Sequence, residues 1–295
     1  MIRLRSEGRG RSYSVLRGVV ESSLRIFYKG GWPAVLWGNV PGACEVDCVV
    51  HRIPLLPRGE KSVRIGFISD LHLGPTTPSR LLDNAFAHLS RANLDVLLLG
   101  GDYVFLDATE KQASELASRI QAVPARRKLA VLGNHDLWTH HEIIEQALVG
   151  AGVEFLTNRN DTLDPAHPGT RVVGLDDPWT GKLDAGLAFN GTSGARALVV
   201  LCHSPDGLPA AQKALLNMVP MPDVLYVCGH THGGHIATPW GPLIVPGRMG
   251  KRYPSGLYEV GPIKLYVSRG VGGIELPIRA YAKPEVAVFE LTAKG

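Results

Sequence analysis

The sequence predicts an α/β protein, and three observations support that prediction. From residue 61 onward, short apolar runs alternate with segments in which apolar residues recur at helical spacing. Several of these runs end in glycine or in polar residues, as strands that lead into loops do. Hydrophobic residues make up 45% of the chain and the mean hydropathy is +0.04, as expected for a globular core. Alternating strands and helices are the element order of α/β folds.

The predicted elements follow one another closely. Strand-like runs occupy residues 63–69, 94–99, 129–132, 171–175, 197–202 and 223–228. Helical spacing predicts helices over residues 78–92, 109–123, 140–149 and 208–216. Beyond residue 233 glycine and proline become frequent, and the apolar runs there predict a set of antiparallel strands at residues 257–260, 263–268 and 286–291.

The charge of the chain is concentrated at its N-terminus. At 295 residues the chain is long enough for one large domain or two small ones, and its formal net charge is +4. Residues 1–30 contain seven basic and two acidic side chains, a net charge of +5, which leaves −1 for the rest. Because the body has no basic excess, we expect no nucleic-acid partner.

Residues 1–60 form a basic, amphipathic N-terminal segment, and residues 61–295 form the predicted α/β domain. Apolar side chains alternate with arginines in the segment, which suits a helix lying in an anionic membrane surface or one packed on the domain with solvated charges. No apolar run reaches the roughly 18 to 20 residues of a membrane-spanning helix. Glu21 and Arg25 interrupt the apolar region that a secretory signal requires. We expect a cytoplasmic protein, either free or peripheral on the inner face of the membrane.

The four cysteines provide no disulfide framework for a chain of this length. Cys202 and Cys228 lie in apolar runs, where a reduced buried thiol is normal. Cys44 and Cys48 have the spacing of half a zinc site, but no second pair at finger spacing accompanies them. The cysteines therefore predict a reducing compartment and no structural zinc.

Metal-binding residue types follow five of the predicted strands. The endings are Asp70-Leu71-His72, Gly101-Asp102, Gly133-Asn134-His135-Asp136, His203 and Gly229-His230-Thr231-His232. Residues two apart on a strand face the same side, so His230 and His232 can face one site. Because an open α/β sheet places its site at the carboxyl ends of its strands, we expect these endings to meet.

The donor types indicate which metals such a site would take. One His-x-His pair by itself is as consistent with surface histidines beside a glycine turn as with a metal site. Five such endings in one chain favour the metal site. Mixed carboxylate, imidazole and amide donors suit Mn, Fe or Zn better than Ca or Mg, whose ligands are typically all oxygen.

In this order, the Asp-x-His, Gly-Asp, Gly-Asn-His-Asp, His and Gly-His-x-His blocks resemble the signature of the calcineurin-like metallophosphoesterases. The resemblance covers residues 61–295. It implies a four-layer fold in which two packed, mixed β-sheets are flanked by helices. It also implies a phosphohydrolase with two divalent cations, Mn²⁺ first and Fe or Zn as alternatives, that cleaves a phosphodiester or pyrophosphate bond with metal-activated hydroxide.

The same resemblance implies a role for each block. The implied ligands of the first cation are Asp70, His72 and His232. The implied ligands of the second cation are Asn134, His203 and His230. Asp102 would bridge the two cations, and His135 would act as a transition-state stabiliser or general acid, which makes these two the candidate catalytic residues.

The C-terminal part resembles one branch of this family, whose bacterial members are membrane-associated phosphodiesterases. The blocks that carry this resemblance are residues 233–236, 256–258, 265–272 and 277–279. The branch includes a UDP-2,3-diacylglucosamine pyrophosphatase of lipid A synthesis, so cleavage of that lipid-linked substrate to lipid X and UMP is our leading hypothesis. Members usually carry glutamine in place of His235 and an N-terminal transmembrane helix or export signal, and this sequence differs at both points. A lipid-linked substrate would still require access to an anionic membrane surface.

Two other functions remain open at this point. A soluble phosphodiesterase acting on cyclic nucleotides or glycerophosphodiesters would use the same metal chemistry. A non-catalytic metal-binding scaffold would use the fold only as an interaction surface, and the presence of every implied ligand and of His135 argues against it. The fold alone does not decide between these functions.

A few side chains beyond the metal-binding blocks are candidate substrate contacts. Arg248, Lys251 and Arg252 form a basic patch that fits a phosphate or lipid head group as well as a solvated loop. His235 either contacts substrate or caps a turn. Trp138 suits the wall of a pocket as well as the core.

Overall fold

The computed structural model describes residues 14–295. Four arginines of the basic N-terminal segment therefore lie outside the described residues: Arg3, Arg5, Arg9 and Arg11. Within the described part of the chain, no helix is both long enough and apolar enough to cross a bilayer.

Nine α-helices and two short 3-10 helices occur in residues 14–295. The α-helices are α1 (Val15–Phe27), α2 (Trp32–Gly38), α3 (Ser79–Ser90), α4 (Glu110–Gln121), α5 (Asn134–Leu137), α6 (His141–Gly150), α7 (Ala185–Ala188), α8 (Leu208–Leu215) and α9 (Arg248–Arg252). The 3-10 helices are Pro205–Gly207 and His232–Gly234.

Fourteen strands occur in the same residues. The first seven are β1 (Asp47–Leu56), β2 (Val63–Ile68), β3 (Val96–Leu99), β4 (Arg127–Ala130), β5 (Val153–Phe155), β6 (Arg159–Thr162) and β7 (Thr170–Gly174). The other seven are β8 (Ala197–Leu201), β9 (Asp223–Cys228), β10 (Ala237–Thr238), β11 (Gly241–Pro242), β12 (Gly256–Val260), β13 (Ile263–Val267) and β14 (Glu285–Ala293).

Two six-stranded mixed sheets form the centre of the fold. The first has the order β1-β14-β2-β3-β4-β5, with β2 to β5 parallel and β14 antiparallel to β2. The second has the order β12-β13-β9-β8-β7-β6, with β13, β9, β8 and β7 parallel and antiparallel strands at both edges. Strands β10 and β11 form a separate small hairpin.

The side chains of the central strands show how the layers stack. In β3, Val96 and Leu98 belong to the core between the two sheets, whereas Leu97 and Leu99 belong to the core beneath α3, α4 and α6. Successive strand residues point to opposite faces, so a strand buried on both faces must be apolar throughout. The second sheet has its own outer core beneath α7 and α8. This confirms the predicted arrangement of two packed mixed sheets flanked by helices.

Local signals explain where helix α4 begins. The Thr109 hydroxyl accepts a hydrogen bond from the Gln112 backbone amide, and the Gln112 side chain accepts one from the Thr109 backbone amide at 3.1 Å. This reciprocal cap satisfies two amides that have no partner inside the helix. The predicted helix over residues 109–123 accordingly starts where the sequence indicates.

The two ends of the chain share the first sheet. Strand β1 lies within the predicted N-terminal segment, yet it pairs in parallel with β14 along most of its length. The division at residue 61 stays a prediction, and the sheet extends across it. The predicted antiparallel set at the C-terminus is wrong in part. Of these three strands, only β12 and β13 pair with each other, because β13 continues the second sheet beside β9 and β14 crosses to the first.

Helix α1 packs on the body through its polar face. Glu21 is buried, Arg25 pairs with Asp107 at 2.9 Å, and the Tyr28 hydroxyl donates to the Glu275 carbonyl at 2.7 Å. The apolar side chains of α1 are instead largely exposed: Val15, Leu16, Val19, Val20, Ile26 and Phe27. An amphipathic helix normally buries its apolar face, so this orientation leaves an apolar surface without a partner among residues 14–295.

Candidate metal centre

The five predicted strand endings meet at one edge of the structure, between the two sheets. The first sheet supplies Asp70, His72, Asp102, Asn134 and His135, and the second supplies His203, His230 and His232. The carboxyl ends of parallel strands lie at the same edge, which explains why distant stretches of sequence converge. The sheets are tied together there, because His203 Nδ1 lies 2.8 Å from the carbonyl oxygen of Gly100. All eight side chains are buried.

Asp102 lies at the centre of the cluster. Its Oδ2 is 3.6 Å from His72 Nε2 and 3.3 Å from His203 Nε2. Its Oδ1 accepts a hydrogen bond from the His135 backbone amide at 2.8 Å. One carboxylate oxygen of Asp102 therefore lies between His72 and His203.

The first group consists of Asp70, His72 and His232, whose ligand atoms lie within 4.8 Å of one another. His232 Nε2 is 3.1 Å from His72 Nε2 and 3.5 Å from Asp70 Oδ1. Two ring nitrogens this close cannot both carry a hydrogen directed at the other. At least one of these two nitrogens therefore presents a lone pair to the other members of the group.

The second group contains Asp102, His203 and His230, again within 4.8 Å. His230 Nδ1 lies 3.2 Å from His203 Nε2. The Oδ1 atom of Asn134 is buried and has no hydrogen-bond partner in residues 14–295. A buried amide oxygen normally has a partner, so an oxygen ligand for a cation is the role that fits Asn134.

A backbone contact sets the tautomer of His203. The carbonyl oxygen of Gly100 can only accept, so His203 Nδ1 carries the hydrogen, and in the neutral ring Nε2 presents its lone pair. Burial alone would lower the pKa of His203, but the negative charges of Asp102 and then Asp70 raise that pKa well above its usual value. A cation bound at Nε2 would have to displace this proton.

Burial sets the protonation of the other groups. It lowers the pKa of His72 to about 4 and that of His230 to about 3, so both rings are neutral and hold a free lone pair near pH 7. It raises the pKa of Asp70 to about 6. Burial also opposes ionisation of Asp102, but His203 and then His135 outweigh it and lower the pKa of Asp102. The ionised carboxylate of Asp102 and the neutral rings of His72 and His230 are donors that suit a divalent cation.

The backbone of the cluster is strained. Asp70, His72, Asp102, His230 and His232 all have positive φ angles, between 45° and 71°. The left-handed region is unfavourable for residues with a β-carbon, and such residues collect at functional sites where the surrounding structure holds them. The positive φ angles therefore mark these five positions as ones that the surrounding structure holds in place.

Gly229 is required by close packing. A β-carbon at this position would overlap the Asp70 carboxylate and the Ser69 side chain. The His230 backbone amide, the next in the chain, donates to Asp70 Oδ1 at 2.9 Å. The glycine of the Gly-His-x-His block therefore lets the two sheets approach closely enough to share Asp70.

The pattern of the sequence did not reveal the role of Asp136. Its carboxylate accepts hydrogen bonds from the backbone amides of Asp102, Tyr103 and Gly133 at 2.8 to 3.0 Å. It thereby holds the loop that carries Asp102 against the loop that carries Asn134. Its position at the end of the Gly-Asn-His-Asp block was the only available signal.

Arg279 is a second residue whose role the sequence pattern did not reveal. Its Nη2 lies 2.9 Å from His232 Nδ1 and also donates to the carbonyl of Gly272 at 2.6 Å. Its Nη1 donates to the carbonyl of Arg269 at 2.7 Å. The guanidinium is thus held by backbone carbonyls and, because it can only donate, His232 Nδ1 is the acceptor of this contact.

A cavity of about 490 Å³ opens above the cluster. Asp102, Asn134, His135, His230 and His232 contribute to its floor. Its walls are mostly apolar and are formed by Trp138, Trp179, Ile236, Leu243, Ile244, Pro246, Ile274 and Leu276. A polar floor with apolar walls fits a phosphate ester that carries an apolar substituent.

The structure separates the predicted substrate contacts. His235 lines the cavity, and its Nε2 lies 2.9 Å from the carbonyl oxygen of Leu276. Arg248 and Arg252 lie exposed on α9 and do not line the cavity. Of these three, only His235 is therefore next to the cluster, and Trp138, a further candidate, also lines the cavity.

Two helix-flanked mixed sheets with a buried carboxylate and imidazole cluster at their strand ends have the architecture of metal-dependent phosphoesterases. The chain belongs to the calcineurin-like phosphoesterase family, whose model matches residues 63–234. This confirms the resemblance of the metal-binding blocks and makes the protein a metal-dependent phosphoesterase.

Curated relatives extend this similarity over most of the chain. An uncharacterized metallophosphoesterase, YkuE of Bacillus subtilis (strain 168), is 31% identical over 83% of this chain and 85% of its own length. The phosphodiesterase YaeI of Escherichia coli (strain K12) is 30% identical over 85% of this chain and 89% of its own length. The UDP-2,3-diacylglucosamine pyrophosphatase LpxG of Chlamydia muridarum (strain MoPn / Nigg) is 23% identical over 86% of this chain and 92% of its own length.

Proposed function

We propose that the protein is a phosphodiesterase with two divalent cations, and that manganese is the preferred metal. Asp70, His72 and His232 would hold one cation, and His203, His230 and Asn134 the other. Asp102 would contact both, since one of its oxygens lies near His72 and His203. When bound, the two cations supply an activated water and neutralise charge on the phosphate oxygens.

His135 is the proposed proton donor to the leaving oxygen. Its ring lies on the cavity floor, with its centre 4.9 Å from that of His72 and 4.8 Å from that of Trp138. Burial lowers the pKa of His135 well below its usual value, and the negative charge of a bound phosphate would raise that pKa. As the P–O bond breaks, a ring N–H can then donate to the oxygen that departs.

The observation that supports a lipid-linked substrate is the mostly apolar wall of the cavity above a polar floor. Our leading substrate is UDP-2,3-diacylglucosamine, cleaved at its pyrophosphate to lipid X and UMP. Two features support it: the name of the Chlamydia relative and the apolar walls, which suit acyl chains. Cyclic nucleotides and glycerophosphodiesters, the substrates of a soluble diesterase, would present less apolar surface to such walls.

Turnover in the presence of manganese tests the proposal. We expect the metal-loaded protein to hydrolyse bis(p-nitrophenyl) phosphate and to release UMP from UDP-2,3-diacylglucosamine in detergent micelles. Chelation with EDTA should abolish both activities, and added manganese should restore them. Hydrolysis of the artificial diester alone would exclude the lipid substrate. Metal binding without turnover of either compound would favour a non-catalytic scaffold.

A membrane surface is the proposed location of the substrate. Two exposed apolar groups support this proposal: Leu16 and its neighbours on α1, and Trp240, Leu243 and Ile244 in and after the small hairpin. Leu243 and Ile244 also line the cavity, and Arg17 of α1 reaches its wall. The second of these groups thus adjoins the cavity, and the helix that carries the first contributes a residue to the cavity wall.

Sedimentation with anionic phospholipid vesicles tests this location. We expect the protein to sediment with the vesicles and the Leu16→Asp variant to bind them several-fold more weakly, because a charge on the apolar surface opposes insertion. The matched control is Leu216→Asp, since Leu16 and Leu216 are both 73% exposed and Leu216 does not line the cavity. Equal binding by both variants would contradict the proposed orientation.

A further inference from the structure

Arg17 reaches the active-site cavity from helix α1. It lines the cavity together with His135 and Trp138. Its guanidinium carbon lies 5.0 Å from the centre of the Trp138 ring, and that ring packs against His135 with a centre-to-centre distance of 4.8 Å. The family match begins at residue 63, so Arg17 is a site residue supplied from outside the matched region.

Two carboxylates hold the guanidinium, and one of its nitrogens has no hydrogen-bond partner in the described part of the chain. Arg17 Nε donates to Glu21 at 2.8 Å, and Nη1 donates to Glu275 at 2.5 Å. Arg17 Nη2 is buried and has no hydrogen-bond partner among residues 14–295. A buried donor without a hydrogen-bond partner is unfavourable, so this nitrogen would gain by reaching an acceptor on a molecule bound in the cavity.

The charges around Arg17 indicate which kind of acceptor it would take. One guanidinium between two carboxylates gives a local formal charge of −1, because Glu21 and Glu275 both contact it. Glu275 also lines the cavity, so a second phosphate beside Arg17 would face a carboxylate. Arg17 Nη2 is therefore a directional hydrogen-bond donor in a region without net positive charge, and the cavity walls beside it are mostly apolar. A neutral oxygen on an apolar group fits these conditions.

We propose that Arg17 is a substrate-binding residue that donates from Nη2 to a neutral carbonyl oxygen on an apolar substituent of the phosphate. The substrate class is therefore an acylated phosphodiester, with the acyl carbonyl at Arg17 and the chain along the apolar walls. This inference rests on the proposed phosphodiesterase function. It assigns a role to α1 that is distinct from contact with a membrane.

Two synthetic diesters that differ only in one carbonyl oxygen test the proposal. They are p-nitrophenyl (octanoyloxy)ethyl phosphate and the matching ether, p-nitrophenyl (octyloxy)ethyl phosphate. Each carries the same activated leaving group, so release of p-nitrophenol reports turnover of both. We expect the wild-type protein to prefer the ester by about tenfold or more in kcat/KM, mainly through KM, as one hydrogen bond from a charged donor allows.

Substitutions at Arg17 should remove this preference. In Arg17→Met the ester and the ether should be hydrolysed with nearly equal kcat/KM, because the ether already lacks the proposed acceptor. Arg17→Lys keeps a positive charge between Glu21 and Glu275, so it should fold even if Arg17→Met does not. Its preference for the ester over the ether should also be reduced. The matched control is Arg25→Met, which breaks an ion pair of the same helix with Asp107 but does not touch the cavity.

The outcomes separate this inference from the proposed function. If no wild-type activity appears on either diester or on bis(p-nitrophenyl) phosphate, the proposed function fails and this inference falls with it. If the wild-type protein hydrolyses both diesters equally well, or if folded Arg17→Lys and Arg17→Met variants keep the full preference, the role of Arg17 is overturned while the phosphodiesterase function stands. An equal loss on ester and ether would show that Arg17 only holds α1 in place.

Discussion

Replacing Asp102 with asparagine should lower kcat/KM for bis(p-nitrophenyl) phosphate by at least about 100-fold, since losing even an outer partner of a metal site costs about 10- to 100-fold. Asparagine keeps the oxygen that accepts the His135 amide, and it tolerates the left-handed backbone of this position, where φ is 54°. It loses the negative charge between His72 and His203. The effect should therefore fall on metal binding and turnover rather than on folding.

Manganese titration, turnover and thermal melting of Asp102→Asn separate these effects. The variant should bind manganese more weakly and melt near the wild-type temperature in the absence of metal. Asp164→Asn is the matched control, because Asp164 is an equally buried carboxylate that pairs with Arg126 and does not line the cavity. Activity of Asp102→Asn close to the control value would rule out a central role for this carboxylate.

Replacing Asp136 with asparagine should reduce the free energy of unfolding by about 2 to 4 kcal/mol, because two buried backbone amides would lose their hydrogen-bond acceptor. Each carboxylate oxygen accepts two backbone amides, Oδ2 from Asp102 and Gly133 and Oδ1 from Tyr103 and Val104. Either orientation of an asparagine amide would direct an NH₂ group at one of these donors. For a chain of this length the melting temperature should fall by about 5 to 10 °C, and turnover should fall because the Asp102 loop is released.

Asp177→Asn is the comparison that tests this explanation. Asp177 is fully buried and its Oδ2 accepts the backbone amides of Trp179 and Thr180, but its Oδ1 has no hydrogen-bond partner within residues 14–295. An asparagine there can place its NH₂ group at Oδ1 without facing a donor. Thermal melting should show a clearly smaller loss for Asp177→Asn than for Asp136→Asn. Equal losses would mean that burial of charge, and not the paired amides, decides the stability.

The parts of the fold that follow from local pattern could be predicted. Strand β9 has the predicted bounds, 223–228, and α4 begins at its Thr109 cap as the sequence indicates. Such elements are specified by apolar periodicity and by capping within a few residues, which are visible along the chain. Strand β14 could not be placed in this way. Its position beside β1 and β2 depends on pairing between the two ends of the chain, and no local signal encodes such pairing.

The candidate site also has parts that could be predicted from the sequence and parts that could not. The residue types at the strand ends predicted which donors would meet, because parallel strands bring their carboxyl ends to one edge. The sequence offered no means of finding Arg279 at His232 or Arg17 at the cavity wall. Arg17 lies outside every block, and Arg279 lies in a block whose residue types give no sign of a contact with His232, so both contacts arise only when the chain packs.

The sequence by itself determined the chemistry of this protein: an α/β phosphoesterase with carboxylate, imidazole and amide donors at five strand ends. Only the tertiary structure decided the position of Asp102 between two histidine groups, the apolar walls of the cavity and the exposed apolar face of α1. The physical reason is that residue type and periodicity are local properties of the chain. Distances between side chains, and the burial that shifts their pKa values, exist only once distant segments are packed together.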